Sequence, residues 1–274
     1  MSMSIRTNVA SLNAQRNLAS TQSTLDTSMA RLSSGYRITK AGDDAAGLGI
    51  STKLEAQIRS YNQAVRNAND GVSVIQTTEA ALNETTNILT RMRQLAMESA
   101  SDGIGDTERA YIETENSSLQ NELDRIALTT KFNGRALLDG TATTLDFHVG
   151  VEATSNDVIS FTTMDARVQT LFSAGVSLDS KANAVAALNV LDDALSVVSN
   201  SRSVLGAAGN RLSAAISTIQ SFTEQLSAAD SRIKDVDVAE ETSAMARSSI
   251  LQQAGVSVLA QANQQPALAL KLLG

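Results

Sequence analysis

Between residues 188 and 233 one position in every seven is aliphatic without a break. The row reads Leu191, Val198, Leu205, Leu212, Ile219, Leu226 and Ile233. A companion row, Leu188, Leu195, Arg202, Gly209, Ile216, Thr223 and Asp230, begins apolar and turns mixed. A heptad repeat sustained this long commits the segment to a helix packed lengthwise against another helix. About 45 residues of helix run roughly 65–70 Å. That is more than a small globule can house, so a rod is predicted.

A partner of similar length lies upstream. Leu54, Tyr61, Ala68, Ile75, Leu82, Leu89 and Ala96 form one heptad row. Ile58, Val65 and Val72 begin a second row, which turns polar at Glu79, Thr86 and Arg93. The pattern predicts a helix from about Asp43 to Ser101 and, after the glycines of "SDGIGD", a shorter one over 106–128 carrying Ile112, Leu119 and Ile126. Composition says how such helices pack. Aromatics are 3 % of the chain, Trp is absent and Pro occurs once. Small residues and aliphatics therefore fill the seams.

The period changes after "KFNGRALLDGT", where Asn133-Gly134 and Asp139-Gly140 are turn signals. Leu145, Phe147 and Val149 alternate, and "DVISFTT" supplies Val158 and Phe161, with "ATSND" between them. This reads as a β-hairpin. The single histidine, His148, lies off the apolar face and has no ligand partners nearby in sequence, so it reads as a surface residue.

Each end of the chain is a helical pattern of moderate hydrophobicity. Ile5, Val9, Leu12, Leu18, Leu25, Met29 and Leu32 mark the first. Ile250, Leu251, Val258, Leu259 and Leu268 mark the last, within residues 236–272. Isolated amphipathic helices are marginal in water, so these two are expected to pair with each other or with other copies of the chain. A connector, "RLSSGYRITKAGDDAAGLGIS", joins the first helix to the second. Gly35 is suited to end a helix, and Asp43 and Asp44 to cap the next. Gly47, with Ala45, Ala46 and Gly49, would allow a close approach to a neighbour.

Chemistry is sparse. A net charge of -7 argues against nucleic acid and anionic membrane surfaces. Cysteine is absent, so no thiol or disulfide chemistry is available. No run of about 18 apolar residues suggests a membrane span. The start lacks the features of a cleaved secretory signal. The paired carboxylates of "GDDAAG" do not face one another on a helix, and "GLGIS" and "LGAAGN" lack the spacing of a phosphate loop. Asn-x-Ser/Thr matches at Asn83 and Asn116 fall inside helices and read as chance. Neither cofactor nor metal is expected, and no catalytic residue is nominated.

"RLSSGYRITKAGDDAAGLGIS" (31–51) closely resembles the N-terminal motif of bacterial flagellins. So does "NDGVSVIQTTEAALNETTNILTRMRQLAMESA" (69–100), and "LDRIALTTKFNGRALLDG" (123–140) follows in order. "SRIKDVDVAEETSAMARSSILQQAGVSVLAQANQQPALALKLLG" (231–274) is similar to the flagellin C-terminus, departing at Val238, where many relatives carry Phe, and after Pro266.

The resemblance implies a mainly α fold: a long antiparallel, coiled-coil-like helical rod with a small β-hairpin region and terminal helices forming an inner coiled coil, disordered in the free monomer. The expected division is 1–42 for the N-terminal half of the inner coiled coil with its connector, and 43–140 for the N-terminal rod helices. Residues 141–180 make a hairpin and short variable region, 181–233 the C-terminal heptad helix, and 234–274 the C-terminal half of the coiled coil. Large outer domains look absent. The implied function is a non-enzymatic subunit, exported without a cleaved signal, that polymerises into the extracellular flagellar filament for swimming. Implied partners are other copies of the chain, an export chaperone and the type III export apparatus, and filament cap and hook-associated proteins. "LTRMRQLAMES" resembles the segment recognised by Toll-like receptor 5, which points to Arg91, Leu95 and Glu115, though Arg91 and Glu115 read equally as solvated rod charges. The alternative is a hook–filament junction protein of the same axial structure. A secreted enzyme or adhesin on a helical rod is disfavoured, because the middle region leaves no room for a catalytic domain.

Overall fold

The structure is a computed structural model; it describes residues 7–141, 144–173 and 175–273, with side chains described as far as residue 264. Among the described residues six α-helices and two small hairpins follow one another. They are α1 (Val9–Ser34), α2 (Ala45–Ser99), α3 (Asp106–Thr129), β1 (Lys131–Phe132), β2 (Arg135–Ala136), β3 (Thr144–His148), β4 (Val158–Thr162), α4 (Val168–Phe172), α5 (Lys181–Lys234) and α6 (Val238–Leu273). The chain divides into two compact units. One combines the two ends of the chain, as far as Ala56 and from Gln225; the other is Gln57–Glu224.

The main core belongs to the second unit. From α5, Leu191, Val198, Leu205, Leu212 and Ile219 are buried; from α2, Ala68, Ile75, Leu82, Leu89 and Ala96 are buried. These are the rows the heptads predict. The companion rows differ from expectation. On α2 the second buried row is Ala64, Gly71, Thr78, Thr85, Met92 and Ser99. Its hydroxyls are consumed locally: Thr78 Oγ1 donates to Val74 O (2.8 Å) and Thr85 Oγ1 to Ala81 O (3.1 Å). A threonine that bonds its own helix presents only its methyl to the core. On α5 the closest companions are Ala187, Ala194 and Ala208, while the mixed row from Leu188 to Asp230 is half-buried.

Ion pairs beside the seam show the register of this antiparallel pair. Lys181 meets Asp102 at 2.6 Å, Asp192 meets Arg93 at 2.6 Å and Arg202 meets Glu79 at 3.8 Å, so α5 numbers rise as α2 numbers fall. One stretch of α5 is apolar enough to cross a bilayer by length and composition, although polar residues interrupt it and it is no continuous apolar run. Its aliphatic row is buried in the core of this unit.

α3 adds a face formed by Arg109, Ile112, Asn116, Leu123 and Ala127, with Leu119 and Ile126 only half-buried. Asn116 is a core residue: its Nδ2 donates to Val176 O at 2.8 Å. Gln120 Nε2 donates to the same carbonyl at 2.7 Å, and Ser99 Oγ to Leu178 O at 2.7 Å. The Leu178 amide donates to Glu113. The segment before α5 is thus strapped down by side chains, with Val176 and Leu178 buried beneath it.

Asn133 (φ 48°) and Gly134 (φ 79°) make the predicted turn between β1 and β2. β3 pairs antiparallel with β4, Leu145 facing Phe161 and Phe147 facing Ile159. Ile159 and Phe161 share the buried face, so Val158 points the other way. Phe147 stacks on Phe161 with ring centroids 5.5 Å apart. The hairpin comes down on α2 at Gly71, where an added Cβ would lie 3.0 Å from Leu212 and 3.1 Å from Phe147. His148 is exposed at the end of β3.

Asp165 anchors the start of α4. It accepts from Arg167 N (3.0 Å), Nε (2.9 Å) and Nη2 (2.7 Å) and from Thr170 Oγ1 (2.7 Å). The guanidinium is the main cause that holds the Asp165 carboxyl at about 2 instead of 3.8. Its stabilisation is therefore complete above the ordinary value and lost as pH falls from about 4 towards about 2. Asp165→Asn should cost about 2 kcal/mol at neutral pH and flatten the acid limb of a denaturation profile over that window. Leu205→Ala should cost roughly 3 kcal/mol in denaturant unfolding. Thr78→Val should cost less than about 1 kcal/mol, because the hydroxyl serves only its own helix.

Candidate assembly surface

The first unit is built on α1 and α6. Their cross-contacts run in opposite directions along the two helices. Asn8 Nδ2 donates to Ala262 O (2.8 Å), Ser11 Oγ to Asn263 Oδ1 (2.7 Å) and Gln252 to Gln22; Arg31 faces Glu241 at 3.6 Å. The helices are therefore antiparallel. What they bury against each other is small: Ser11, Ser28, Ser248 and Ala262. Leu18 reaches Gly255, where an added Cβ would sit 3.3 Å from its Cδ1. Asn8 also caps α1, accepting from Ser11 N at 3.0 Å.

Larger apolar side chains stay largely uncovered. Ile250 is 66 % exposed, Val9 58 % and Met29 56 %, and Leu12, Leu251, Val256 and Val258 are exposed to a similar degree. Leu18, Leu25, Leu32 and Leu259 are half-buried. The residues the sequence groups together thus fall into two sets, a leucine row towards the partner helix and an uncovered apolar set. Ile5 and the side chain of Leu268 lie outside the described residues. Among the described residues, grooves run between the helices. One, of about 480 Å³, is lined by hydroxyls including Ser20, Thr24 and Ser243; another, of about 270 Å³, by Leu18, Leu251, Ala254 and Val258 among others.

The connector departs from expectation in two places. Gly35 ends α1 at φ 76°, and its N–H donates to Arg31 O at 2.8 Å. Only Asp44 caps α2, its Oδ1 accepting from Gly47 N at 2.8 Å. Asp43 instead closes the preceding turn. Its Oδ2 accepts from Thr39 N (3.0 Å), Thr39 Oγ1 (2.9 Å) and Lys40 N (3.0 Å), and these bonds, the Thr39 amide first, lower its pKa. Crowding is confined to Gly47, where a Cβ would strike the Asp44 carboxylate and come within 2.9 Å of buried Ile38. Ala45, Ala46 and Gly49 are exposed, and Gly49 has open space around it.

Of the three residues expected at a receptor contact, Arg91 and Glu115 are exposed and form an ion pair at 2.7 Å. Leu95 is 2 % exposed and lies in the core. It is one turn from Arg91 but on the inward face, so it is not available as a surface contact. Among the described residues no three His, Cys, Asp or Glu side chains are grouped to hold a metal.

Residues 5–143 match the family model for the bacterial flagellin N-terminal helical region, and residues 188–273 match that for the bacterial flagellin C-terminal helical region. A flagellin from Halalkalibacterium halodurans is 42 % identical over 271 residues, covering 99 % of this chain and all of the relative. Flagellin D of Vibrio cholerae is 36 % identical with both chains fully covered, over an alignment of 378 positions against 274 residues here. The crystal structure of Bacillus cereus flagellin superposes with a TM-score of 0.51 at 30 % identity, covering 56 % of this chain and 88 % of that one.

Burial separates the two kinds of residue on the α2 surface. Leu95→Ala should lower the unfolding free energy by about 3 kcal/mol. Arg91→Ala should change it by less than about 1 kcal/mol, since the lost pair is exposed. Chemical denaturation of the two variants side by side checks both.

Proposed function

The chain belongs to the bacterial flagellin family, a family of structural rather than enzymatic proteins, and on that premise we propose that its terminal helices are the surface through which copies polymerise into a filament for swimming. The observation that carries this reading is the uncovered apolar set of α1 and α6. Val9, Leu12, Met29, Ile250, Leu251 and Val258 all stand in solvent on helices that bury little against each other. Helices of this kind gain little stability alone. Covering such side chains contributes about 25 cal/mol per Å² of apolar surface, which offsets the entropy of ordering the ends of the chain. A contact that joins different patches head to tail, without closing into a ring, extends indefinitely as a helical array.

Family membership also supports the finer parts of the proposal. The subunit is exported through the flagellar type III apparatus with a cytoplasmic chaperone, and meets cap and hook-associated proteins at the filament ends. Recognition by Toll-like receptor 5 would rest on Arg91 and Glu115.

Seeded polymerisation followed by electron microscopy tests the central statement. Intact protein should elongate seeds into long filaments. Leu251→Asp and Met29→Asp should each raise the critical concentration at least about tenfold, the equivalent of about 1.4 kcal/mol, while leaving the thermal unfolding of the Gln57–Glu224 unit unchanged. Intact protein that stays monomeric despite seeds would reject the filament subunit and favour a hook–filament junction protein.

A further inference from the structure

Two turns after α3 share one backbone feature and differ in chemistry. They are Asn133-Gly134 and Asp139-Gly140, and each glycine has φ 79°. The Asp139 carboxylate is engaged: its Oδ1 accepts from Thr141 N (3.0 Å) and Thr141 Oγ1 (2.6 Å). These bonds, the hydroxyl first, lower its pKa. An ionised, hydrogen-bonded carboxylate is a poor electrophile. Asn133 carries a neutral carboxamide instead. It is exposed and makes no side-chain hydrogen bond among the described residues. Its φ of 48° is uncommon for a residue with a side chain.

The neighbouring nucleophile is equally accessible. The Gly134 amide makes no backbone hydrogen bond among the described residues, and a Cβ added at Gly134 would meet nothing within 4 Å. Glycine offers no side chain to hinder attack at its nitrogen. The tip is also lightly held. β1 and β2 are two residues each, paired as Lys131 with Ala136 and Phe132 with Arg135. A hairpin this short is marginal by itself, so its tip opens at low cost while the packed helices stay folded. Below the tip, Leu137 N donates to Thr130 O at 3.1 Å, and Leu137 and Leu138 are buried.

We propose that Asn133 is a site of spontaneous covalent modification, at which the chain deamidates itself through a cyclic imide. When the tip opens, the Gly134 nitrogen attacks Asn133 Cγ. The new N–Cγ bond closes a five-membered ring, and the Cγ–Nδ2 bond breaks. The departing nitrogen takes the proton that Gly134 N loses and leaves as ammonia. Water then adds to one of the two ring carbonyls and breaks its bond to the nitrogen. Addition at Cγ leaves aspartate. Addition at the Asn133 main-chain carbonyl leaves isoaspartate, whose main chain runs through the former side chain. Nothing is oxidised or reduced, and water is the one co-reactant. Either product sets a carboxylate two residues from each of the exposed cations Lys131 and Arg135. Isoaspartate also adds a methylene to a two-residue loop whose backbone must match the twist of its strands, so it breaks the β1–β2 pairing. This chemistry is independent of how the chain assembles.

Full-length protein kept warm at mildly alkaline pH tests the site. Peptide mass mapping over time should show a gain of one mass unit at Asn133 before any other asparagine. Asn69 and Asn156, each followed by aspartate, are the internal comparison. Isoaspartate in the same peptide should accept a labelled methyl group from S-adenosylmethionine in the presence of an isoaspartyl methyltransferase. Asn133→Asp should abolish the mass gain. In urea, where no turn exists, wild type should react several-fold faster than folded protein, and Gly134→Ala several-fold slower than wild type. The isoaspartate fraction, separated by ion exchange, should show faster amide exchange over residues 130–138 and unchanged exchange across α5. An Asn133 that stays intact in folded protein while the urea-unfolded chain loses it overturns the proposal, and so does modification that appears first at another asparagine. An isoaspartate fraction with unchanged exchange over 130–138 overturns the effect on the hairpin.

Discussion

Everything in the Gln57–Glu224 unit depends on one packing arrangement. Aliphatic rows of α5 and α2 are buried beside rows of Ala, Gly, Ser and Thr on the same two helices. Small residues let the backbones come close, so a few large side chains cover a long seam and aromatic bulk is not needed. The charges beside the seam agree with the register set by this packing, since Asp102, Arg93 and Glu79 each meet an opposite charge on α5. The β3–β4 hairpin is seated by the same arrangement, since the glycine at position 71 leaves room for Phe147 against Leu212. Even the segment leading into α5 is held by α2 and α3 side chains, Ser99, Glu113, Asn116 and Gln120.

The unit formed by the chain ends has a different balance. Its buried residues are mostly serine and alanine, and its larger apolar groups face solvent. Hydroxyl and amide contacts such as Ser11 to Asn263 align α1 with α6 without supplying much burial. A pair of helices built this way is specified in register but short of stabilising surface. That shortage suits a chain that completes its packing only by meeting other copies.

Much of the fold was legible in the sequence, because burial in long helices leaves a periodic record. The row from Leu191 to Ile219, the row from Ala68 to Ala96, the glycine stop at Gly35 and the Asn133-Gly134 turn all follow from spacing and turn chemistry. The second buried row of α2 was not legible. Thr78 and Thr85 look polar until their hydroxyls are seen bonded to their own helix. Asn116 was hidden for the opposite reason: its partner, Val176 O, is 60 residues away. Asp43 and Asp44 are neighbours with one chemistry, and only the backbone path shows that one closes a turn while the other caps a helix. Leu95 could be placed on the inward face only once the row through Met92 and Ser99 was known to be buried. The sequence also groups Leu18 with Val9 and Leu12, although only Leu18 turns towards α6.

The central claim is that α1 and α6 finish their burial through other copies of the chain. Amide hydrogen exchange on free subunits and on seeded filaments tests it most directly. Residues 9–34 and 238–264 should gain the largest protection on assembly, while the amides of the α2–α5 core, already protected in the free chain, should change little. Protection gained only across α2, α3 and α5, with the terminal helices exchanging as fast as before, would contradict the account.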